Sequence, residues 1–268
     1  MDLSIIIVSF NARADLANCL DSLLQHPPAV SHEVIVVDNA STDGCADEAD
    51  MRPGIRVIRS ATNVGFAVAN NIGIRASSGT NVLLLNSDTI VPPGAIDGLV
   101  TRLSDEPDVA VIGPRLVDGR GRIELSFGDM LTPWSEWRRQ RLARALANDD
   151  PAAVAEVERR TANERRPDWV TGACLLVRRA DADAVGLLDE RYFMYTEDVD
   201  FCASIRARGR QVLFTPRVDV MHLRGRSAAT ATAATRAAYE RSHLAFYQKH
   251  HPLLAPLLRL VRALRRRS

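Results

Sequence analysis

Two aspartates follow apolar, strand-like segments in the N-terminal half of the chain. Asp38 follows residues 34–37, and Asp88 follows residues 82–85 and the pair Asn86-Ser87. At neighbouring strand ends their charges would repel unless a cation or a donor-rich ligand lies between them. Mg²⁺ and Mn²⁺ take oxygen ligands and complete their shell with water and phosphate oxygens. For Asp88 taken alone, a turn aspartate is the alternative.

A second group of acids lies far downstream, in the segment YFMYTEDVDFC. Glu197, Asp198 and Asp200 come at the start of a predicted helix, where the dipole favours negative charge by up to roughly 1 kcal/mol. Capping needs only one acid, and a carboxylate held at a helix N-terminus stays ionised, as a general base must. His222 would suit a metal site with Asp88, although an exposed or carbonyl-bonded histidine is the ordinary alternative.

Alternating strand and helix patterns position these residues. Continuous apolar runs predict strands at residues 3–8, 34–37, 55–58 and 81–85, and helical spacing predicts helices at 14–24 and 67–76. This alternation indicates an α/β fold with a mostly parallel sheet and helices on both faces. Ligands of such sheets bind at the carboxyl ends of the strands. The polar residues expected at that edge are Ser9, Asn11, Asp38, Asn63, Gly65 and Asp88.

The pattern is less regular downstream. Residues 129–167 are charged, rich in arginine and without a clean apolar stripe, which predicts a helical insertion or flap. Further predictions are a strand at 169–177, a helix at 198–208, short strands at 211–214 and 218–221, and C-terminal helices from about residue 233. We assign residues 1–227 to the main domain and residues 228–268 to a C-terminal helical tail.

Composition narrows the class of protein. The 268 residues are 46% apolar and 25% charged with a net charge of +1, so no global field favours nucleic acid as a partner. The four separated cysteines indicate neither a zinc ribbon nor a disulfide framework, and no run is apolar enough to span a membrane. We therefore expect a cytoplasmic protein.

The C-terminal end adds a second expectation about location. Residues 252–268 contain five arginines and no acid, opposite an apolar stripe. This pattern is typical of an interfacial helix at the inner face of the cell membrane. Packing of the same helix on its own domain or on a dimer partner is the alternative.

Seven motifs, in one order, resemble those of the family 2 glycosyltransferases of the GT-A fold, especially the bacterial rhamnosyltransferase-like branch. They are SIIIVSFN, EVIVVDNASTDG, NVGFAVANNIGI, LLLNSDT, WVTGACLLVRR, YFMYTEDVDFC and VMHLRGRS, and they span residues 3–227. The resemblance implies an inverting transfer of a sugar, with rhamnose favoured, from a dTDP- or UDP-linked donor. The implied acceptor is a hydroxyl of a cell-envelope polysaccharide or a lipid-linked glycan.

The resemblance also implies roles for individual residues. The donor-binding residues would be Ser9, Asp38, Asn63, Gly65, Asn70 and Asn86. The acceptor-binding residues would be Trp169, Gly172, Ala173 and Glu197. Asp198 would be the catalytic base, while Asp88 and His222 would bind Mg²⁺ or Mn²⁺. Asn86 stands where the family's DxD metal motif has its first aspartate, so His222 is expected as a further ligand.

Two other functions remain open at this point. A sugar nucleotidyltransferase shares the α/β layout, but SFNARAD lacks the glycine-rich, basic phosphate loop typical of that class. A non-catalytic nucleotide-sugar-binding protein would keep the pocket, and the presence of both Asp88 and Asp198 argues against it.

Overall fold

The computed structural model describes residues 1–223 and 233–265, which form a mixed sheet between two helical layers. The strands are β1 (Leu3–Ser9), β2 (His32–Asp38), β3 (Ile55–Arg59), β4 (Asn81–Asn86), β5 (Thr89–Ile90), β6 (Val109–Val117), β7 (Ile123–Glu124), β8 (Phe127–Gly128), β9 (Trp169–Val170), β10 (Cys174–Arg178) and β11 (Gln211–His222). The helices are α1 (Arg13–Gln25), α2 (Cys45–Asp50), α3 (Phe66–Arg75), α4 (Ala95–Ser104), α5 (Pro133–Ala147), α6 (Pro151–Thr161), α7 (Arg179–Ala184), α8 (Glu197–Ala207), α9 (Ala233–His250) and α10 (Ala255–Arg265).

The main sheet has the strand order β3-β2-β1-β4-β10-β6-β11-β5, and β7 pairs with β6. Strands β3, β2, β1 and β4 are parallel, and β11 is parallel to β6. Strand β10 runs antiparallel between β4 and β6, and the short strands β5 and β7 are also antiparallel to their partners. Strands β8 and β9 form a separate two-stranded sheet. The predicted α/β class and two-sided helical cover are confirmed.

Side-chain alternation explains the two layers. In β1, Ile6 packs into the core on one face, and Ile5 and Ile7 pack into the core on the other. The central strands can therefore be apolar throughout, because both of their faces are covered. Helices α1 and α4 cover one face, whereas α3, α8 and α9 cover the other.

Three predicted strands have different bounds in the structure. The strand expected at 169–177 is divided into β9 and β10, because residues 171–173 form a turn that carries the chain from the small sheet to the main one. The two strands expected at 211–214 and 218–221 form the single strand β11, whose register against β6 shifts between Thr215 and Asp219. The expected insertion at 129–167 contains α5 and α6.

The C-terminal helix α9 packs against the main domain. Phe246 and Tyr247 are fully or almost fully buried in the same hydrophobic core as α3 and α8. The boundary predicted between the main domain and the C-terminal tail, at residues 227 and 228, lies outside the described residues. Among the helices that the structure describes, none has the length and apolar character that a bilayer-spanning segment requires.

Candidate functional site

The carboxyl ends of β1 and β2 meet at one edge of the sheet. Ser9 and Asp38 are direct partners in the parallel register, and both are buried. The Ser9 hydroxyl donates to Cys45 Sγ at 3.3 Å, and its carbonyl accepts from the Asn39 amide at 2.8 Å. Asp38 Oδ2 accepts from the Ser41 amide, whereas Asp38 Oδ1 is buried without a hydrogen-bond partner among the described residues. Asp38 Oδ1 can therefore accept a hydrogen bond from a ligand that binds at this strand end.

Asn39 holds the loop that precedes α3. Its side-chain nitrogen donates to Asn63 Oδ1 at 2.9 Å, and its side-chain oxygen accepts from the Val64 amide at 2.9 Å. Asn63 Oδ1 also accepts from the Gly65 amide at 3.0 Å. Asn63 and Gly65 are therefore fixed beside the end of β2, next to Asp38. Asn39 was not among the residues expected at the site, although it stands directly after Asp38 in the same motif.

Gly65 is where this loop touches the downstream acidic segment. Its φ is +87°, and a Cβ there would lie 2.4 Å from the Phe193 carbonyl oxygen. The Phe66 amide donates to that same oxygen at 2.6 Å. Asn70 lies one turn further along α3, almost fully buried, and donates to the Phe66 carbonyl within its own helix. Only a glycine allows the two segments to come this close.

Asp88 and His222 are brought together at the end of β4. The antiparallel pairing of β11 with β5 places His222 opposite Thr89, and His222 Nε2 lies 3.3 Å from Asp88 Oδ1. The Asn86 side-chain nitrogen lies 3.5 Å from the same ring nitrogen. On the other side of the ring, Nδ1 lies 3.3 Å from Glu124 Oε2, which β7 supplies. Glu124 could not be found from the sequence, because β7 has only two residues.

The charges around His222 are mutually stabilising. Burial alone would lower the pKa of the imidazole, but hydrogen bonds and charge interactions with Asp88 and Glu124 outweigh burial and raise the pKa to about 9. The ring is therefore protonated at neutral pH, and a cation that binds Nε2 must displace its proton.

The donor set fits a divalent cation held by two protein ligands. Neighbouring ligands of an octahedral ion with bonds of about 2.1 Å lie about 3 Å apart, close to the Asp88–His222 separation. Glu124 at the far ring nitrogen is the kind of carboxylate that orients a metal-binding histidine. Because the two carboxylates flank opposite sides of the ring, they do not converge. Within residues 1–223 and 233–265, no three His, Cys, Asp or Glu side chains are arranged to hold a metal.

The end of β4 is also bonded to the turn between β9 and β10. The Asn86 amide donates to the Ala173 carbonyl at 2.9 Å. The neighbouring Gly172 amide donates to Asp198 Oδ2 at 3.0 Å, and the Val199 amide donates to Asp198 Oδ1 at 2.8 Å. The base expected from sequence thus lies at the N-terminus of α8, and the turn connects it to Asn86, two residues before the expected metal ligand Asp88.

Asp198 has an environment that raises its proton affinity. Burial raises the pKa of its carboxyl above the ordinary value, against the opposing effects of the two amide donors and of Arg139. Arg139 comes from α5, and its guanidinium carbon lies 6.0 Å above the ring of Trp169. The Trp169 ring is buried, and its indole nitrogen donates to the Asp129 carbonyl at 2.8 Å. The helical insertion therefore reaches the base, which the sequence pattern did not indicate.

The residues before Asp198 have a strained backbone, and two of their buried side-chain oxygens have no hydrogen-bond partner among the described residues. Tyr195 and Thr196 both have positive φ, at 69° and 67°. Burial and the adjacent Asp198 raise the pKa of Glu197 well above its ordinary value. Glu197 Oε2 and Thr196 Oγ1 are buried and have no hydrogen-bond partner in the described part of the chain. This environment favours the protonated form of Glu197 beside the base, and its Oε2 is available to a ligand.

The expected pairing of Asp38 with Asp88 is wrong in one respect. Strand β1 lies between β2 and β4, so the two strand ends are separated by about 10 Å. Their carboxylates do not form a repelling pair, and each has its own partners. The donor-side residues cluster around Asp38, and the metal-side residues cluster around Asp88.

Comparison with known proteins identifies relatives of the chain. A sequence model described as Glycosyl transferase family 2 matches residues 4–164. The N-acetylglucosaminyl-diphospho-decaprenol L-rhamnosyltransferase of Mycobacterium tuberculosis is 30% identical over 230 residues, which cover 81% of this chain and 75% of that protein. The low-salt glycan biosynthesis hexosyltransferase Agl10 of Haloferax volcanii is 28% identical, over 82% of this chain and 67% of that protein.

Solved structures share the fold. The crystal structure of GalNAc-T7 with UDP, GalNAc and Mn²⁺ has a TM-score of 0.66 at 16% identity and covers 92% of this chain and 48% of its own. This chain therefore spans about half the length of that protein. The mannosyltransferase PcManGT from Pyrobaculum calidifontis, in complex with GDP-Man and Mn²⁺, has a TM-score of 0.61 at 18% identity, over 96% of this chain and 68% of that one. These similarities confirm the predicted GT-A fold.

Proposed function

Because the chain belongs to glycosyl transferase family 2, we propose that it is an inverting, metal-dependent transferase acting on a nucleotide-diphosphate sugar. Rhamnose is the favoured sugar, because the M. tuberculosis relative is named as an L-rhamnosyltransferase. The same name supports a lipid-linked glycan as acceptor, and the Haloferax relative's name refers to glycan biosynthesis. The reaction joins the anomeric carbon of the donor to an acceptor hydroxyl.

One observation carries this proposal: Asp198 is held by two backbone amides beside the turn that is bonded to the end of β4. The acceptor hydroxyl oxygen forms a bond to the anomeric carbon, the bond from that carbon to the diphosphate oxygen breaks, and the hydroxyl proton passes to Asp198. A base on the side opposite the leaving group is what an inverting displacement requires. Burial raises the pKa of Glu197, which favours the protonated form that can donate a hydrogen bond to a sugar hydroxyl next to the reacting one.

The donor side has two parts in this proposal. The buried, unpartnered Asp38 Oδ1 accepts a hydrogen bond from the pyrimidine or ribose, and the Asn63–Gly65 loop lines the same pocket with Asn70 further along α3. Asp88 and His222, which lie 3.3 Å apart beside Asn86, would hold Mg²⁺ or Mn²⁺. When bound, the ion supplies the charge that neutralises the departing diphosphate.

A donor screen tests the proposal. dTDP-rhamnose and several UDP-sugars are compared side by side, and release of nucleoside diphosphate is measured with N-acetylglucosaminyl-diphospho-polyprenol as acceptor. We expect the highest rate with dTDP-rhamnose and no rate with Asp198→Asn. Turnover with UDP-sugars alone would refute the rhamnose assignment and keep the transferase. Pyrophosphate formed from a nucleoside triphosphate and a sugar phosphate would refute the transferase itself.

A further inference from the structure

Helix α5 has two different faces. Its inner face carries Glu136, which is buried and hydrogen-bonded to His243 and Tyr247 of α9. Its outer face carries Trp134 and Trp137, which are 65% and 49% exposed. A large aromatic side chain in water is unfavourable, so an exposed pair needs an explanation beyond folding.

The two exposed tryptophans form an ordered group with arginine. Their rings stack with centroids 4.9 Å apart, and the Arg141 guanidinium carbon lies 5.7 Å from the Trp137 ring. Trp134, Trp137, Arg138 and Arg141 are spaced three and four residues apart, so they share one side of the helix. Aromatic rings interleaved with arginines on an exposed helix side are typical of helices that lie in a membrane interface.

Helix α10 exposes a second apolar row. Ala255 is buried and Leu258 packs on the core, whereas Leu257 and Leu260 are 59% and 57% exposed. Leu253, just before the helix, is 92% exposed. Leu257 and Leu260 of the predicted stripe are thus exposed, whereas the helix packs on the core through Ala255 and Leu258, and the exposed leucines are open to another contact.

Hydrogen bonds connect the two helices that carry these exposed rows, and the segments just before them. His251 Nε2 lies 2.7 Å from the Leu131 carbonyl oxygen. His251 is two residues before Leu253, and Leu131 is three residues before Trp134. Arg262 of α10 bonds to His243, which in turn bonds to Glu136 of α5. The position of α10 relative to α5 is therefore fixed through α9.

The charge of this end suits an anionic partner. Four arginines lie in α5 and three in α10, and the acid in these two helices is Glu136, which is buried against α9. Each basic residue near an anionic bilayer strengthens binding, and exposed leucine and tryptophan side chains can enter the interface. Neither property alone would select a bilayer, but their combination on two helices that α9 connects does.

We propose that the outer side of α5 and the exposed leucines of α10 form a docking face for an anionic lipid bilayer. The face adjoins the candidate site, because Arg139 of the same helix lies above Trp169. Docking would thus hold the acceptor side of the protein next to the membrane. The proposal does not depend on the transferase reaction, because binding to a bilayer needs neither donor nor metal.

Tryptophan fluorescence of the full chain provides the first test. The chain has three tryptophans, and Trp169 is only 6% exposed, so a change on adding vesicles reports Trp134 and Trp137. With phosphatidylglycerol and phosphatidylcholine vesicles, we expect a blue shift and quenching by brominated acyl chains, both weaker with phosphatidylcholine alone. An unchanged spectrum with the anionic vesicles would overturn the proposal, and this measurement needs no variant.

Vesicle flotation with variants provides the second test. Arg138→Gln combined with Arg141→Gln should weaken binding about 30-fold, and Trp134→Gln with Trp137→Gln should lower the fraction of protein that floats with the vesicles. Met51→Gln is the matched control, since Met51 is 68% exposed on α2's C-terminal side and should bind as the wild type does. Equal binding by all variants would refute the proposal. A dimer that dissociates on changing Leu257 and Leu260 to Gln, without vesicle binding, would assign the face to a second copy instead.

Discussion

Replacing Asp198 by asparagine separates the chemistry of the site from its architecture. A positioned general base contributes typically about 10²–10⁴ in rate, which corresponds to roughly 3–5 kcal/mol of barrier. Asparagine has nearly the same shape but cannot take the hydroxyl proton. We therefore expect Asp198→Asn to lose at least about a hundredfold in kcat while binding of the donor nucleotide is retained.

The effect of the same change on stability follows from the two amide hydrogen bonds that Asp198 accepts. The carboxylate bonds to Gly172 and Val199 through separate oxygens. An asparagine side chain has one oxygen, so either rotamer turns its NH₂ group toward one of the amides, at a cost of about 1–3 kcal/mol. Relief of the buried charge offsets part of this cost, since burial already raises the pKa of Asp198. A decrease of a few degrees in Tm is expected.

Asp200→Asn is the matched control, two residues away on the same helix. Asp200 bonds to Tyr192, Lys249 and His250, so its loss should lower Tm by more than Asp198→Asn does. Turnover below that Tm should remain. The assays are nucleoside diphosphate release, nucleotide binding by calorimetry, and thermal denaturation of both variants. Full turnover in Asp198→Asn, or equal loss of turnover in the two variants, would refute the base assignment.

Three further results are expected. Because the pKa of Asp198 is raised and the base must be deprotonated, kcat/KM should fall as pH decreases through a value above the usual aspartate range. The contribution of Asp198 to the free energy of unfolding should decrease as pH rises through the same window. A fall in kcat/KM at the ordinary aspartate pKa would contradict this. Glu124→Gln should weaken Mn²⁺ binding in the presence of UDP about 10–100-fold, measured by electron paramagnetic resonance, and unchanged affinity would exclude it as the residue that orients His222. Gly65→Ala should lower Tm more than Gly54→Ala does, because both glycines have positive φ but a Cβ at position 65 would also meet the Phe193 carbonyl. Equal decreases in Tm would mean that backbone strain alone explains the effect and that the close contact with Phe193 contributes nothing.

The sheet core was predictable from sequence because local patterns determine it. Strands β1, β2 and β4 are apolar on both faces and end in polar residues, and this signal lies within the strand and the residues beside it. The break between β9 and β10 was not predictable, because Trp169–Val170 and residues 174–177 are equally apolar. Only the pairing of Phe127 with Val170 in a separate sheet divides them, and that contact joins distant parts of the chain.

The same distinction applies to the candidate site. Asp88 and Asp198 were expected from motifs, and the structure brings their segments together through the Asn86–Ala173 bond. Glu124 and Arg139 carry no local signal, since each reaches the site from an element whose position depends on tertiary packing. Residues that modify the electrostatics of a site are often of this second kind. They are found by following the partners of the expected residues outward.

The three acids at the start of α8 differ in environment rather than in type. Burial and the neighbouring Asp198 raise the pKa of Glu197, which favours the protonated form that can donate a hydrogen bond. Asp198 is held by two amides, which favour its ionised form even though burial opposes it. Asp200 is paired with Lys249 and bonded to His250, and so it fixes α9 instead of meeting a substrate. Helix α9 also bonds to Glu136 of α5. Asp200 therefore connects α8, which carries the base, through α9 to α5, which carries Arg139.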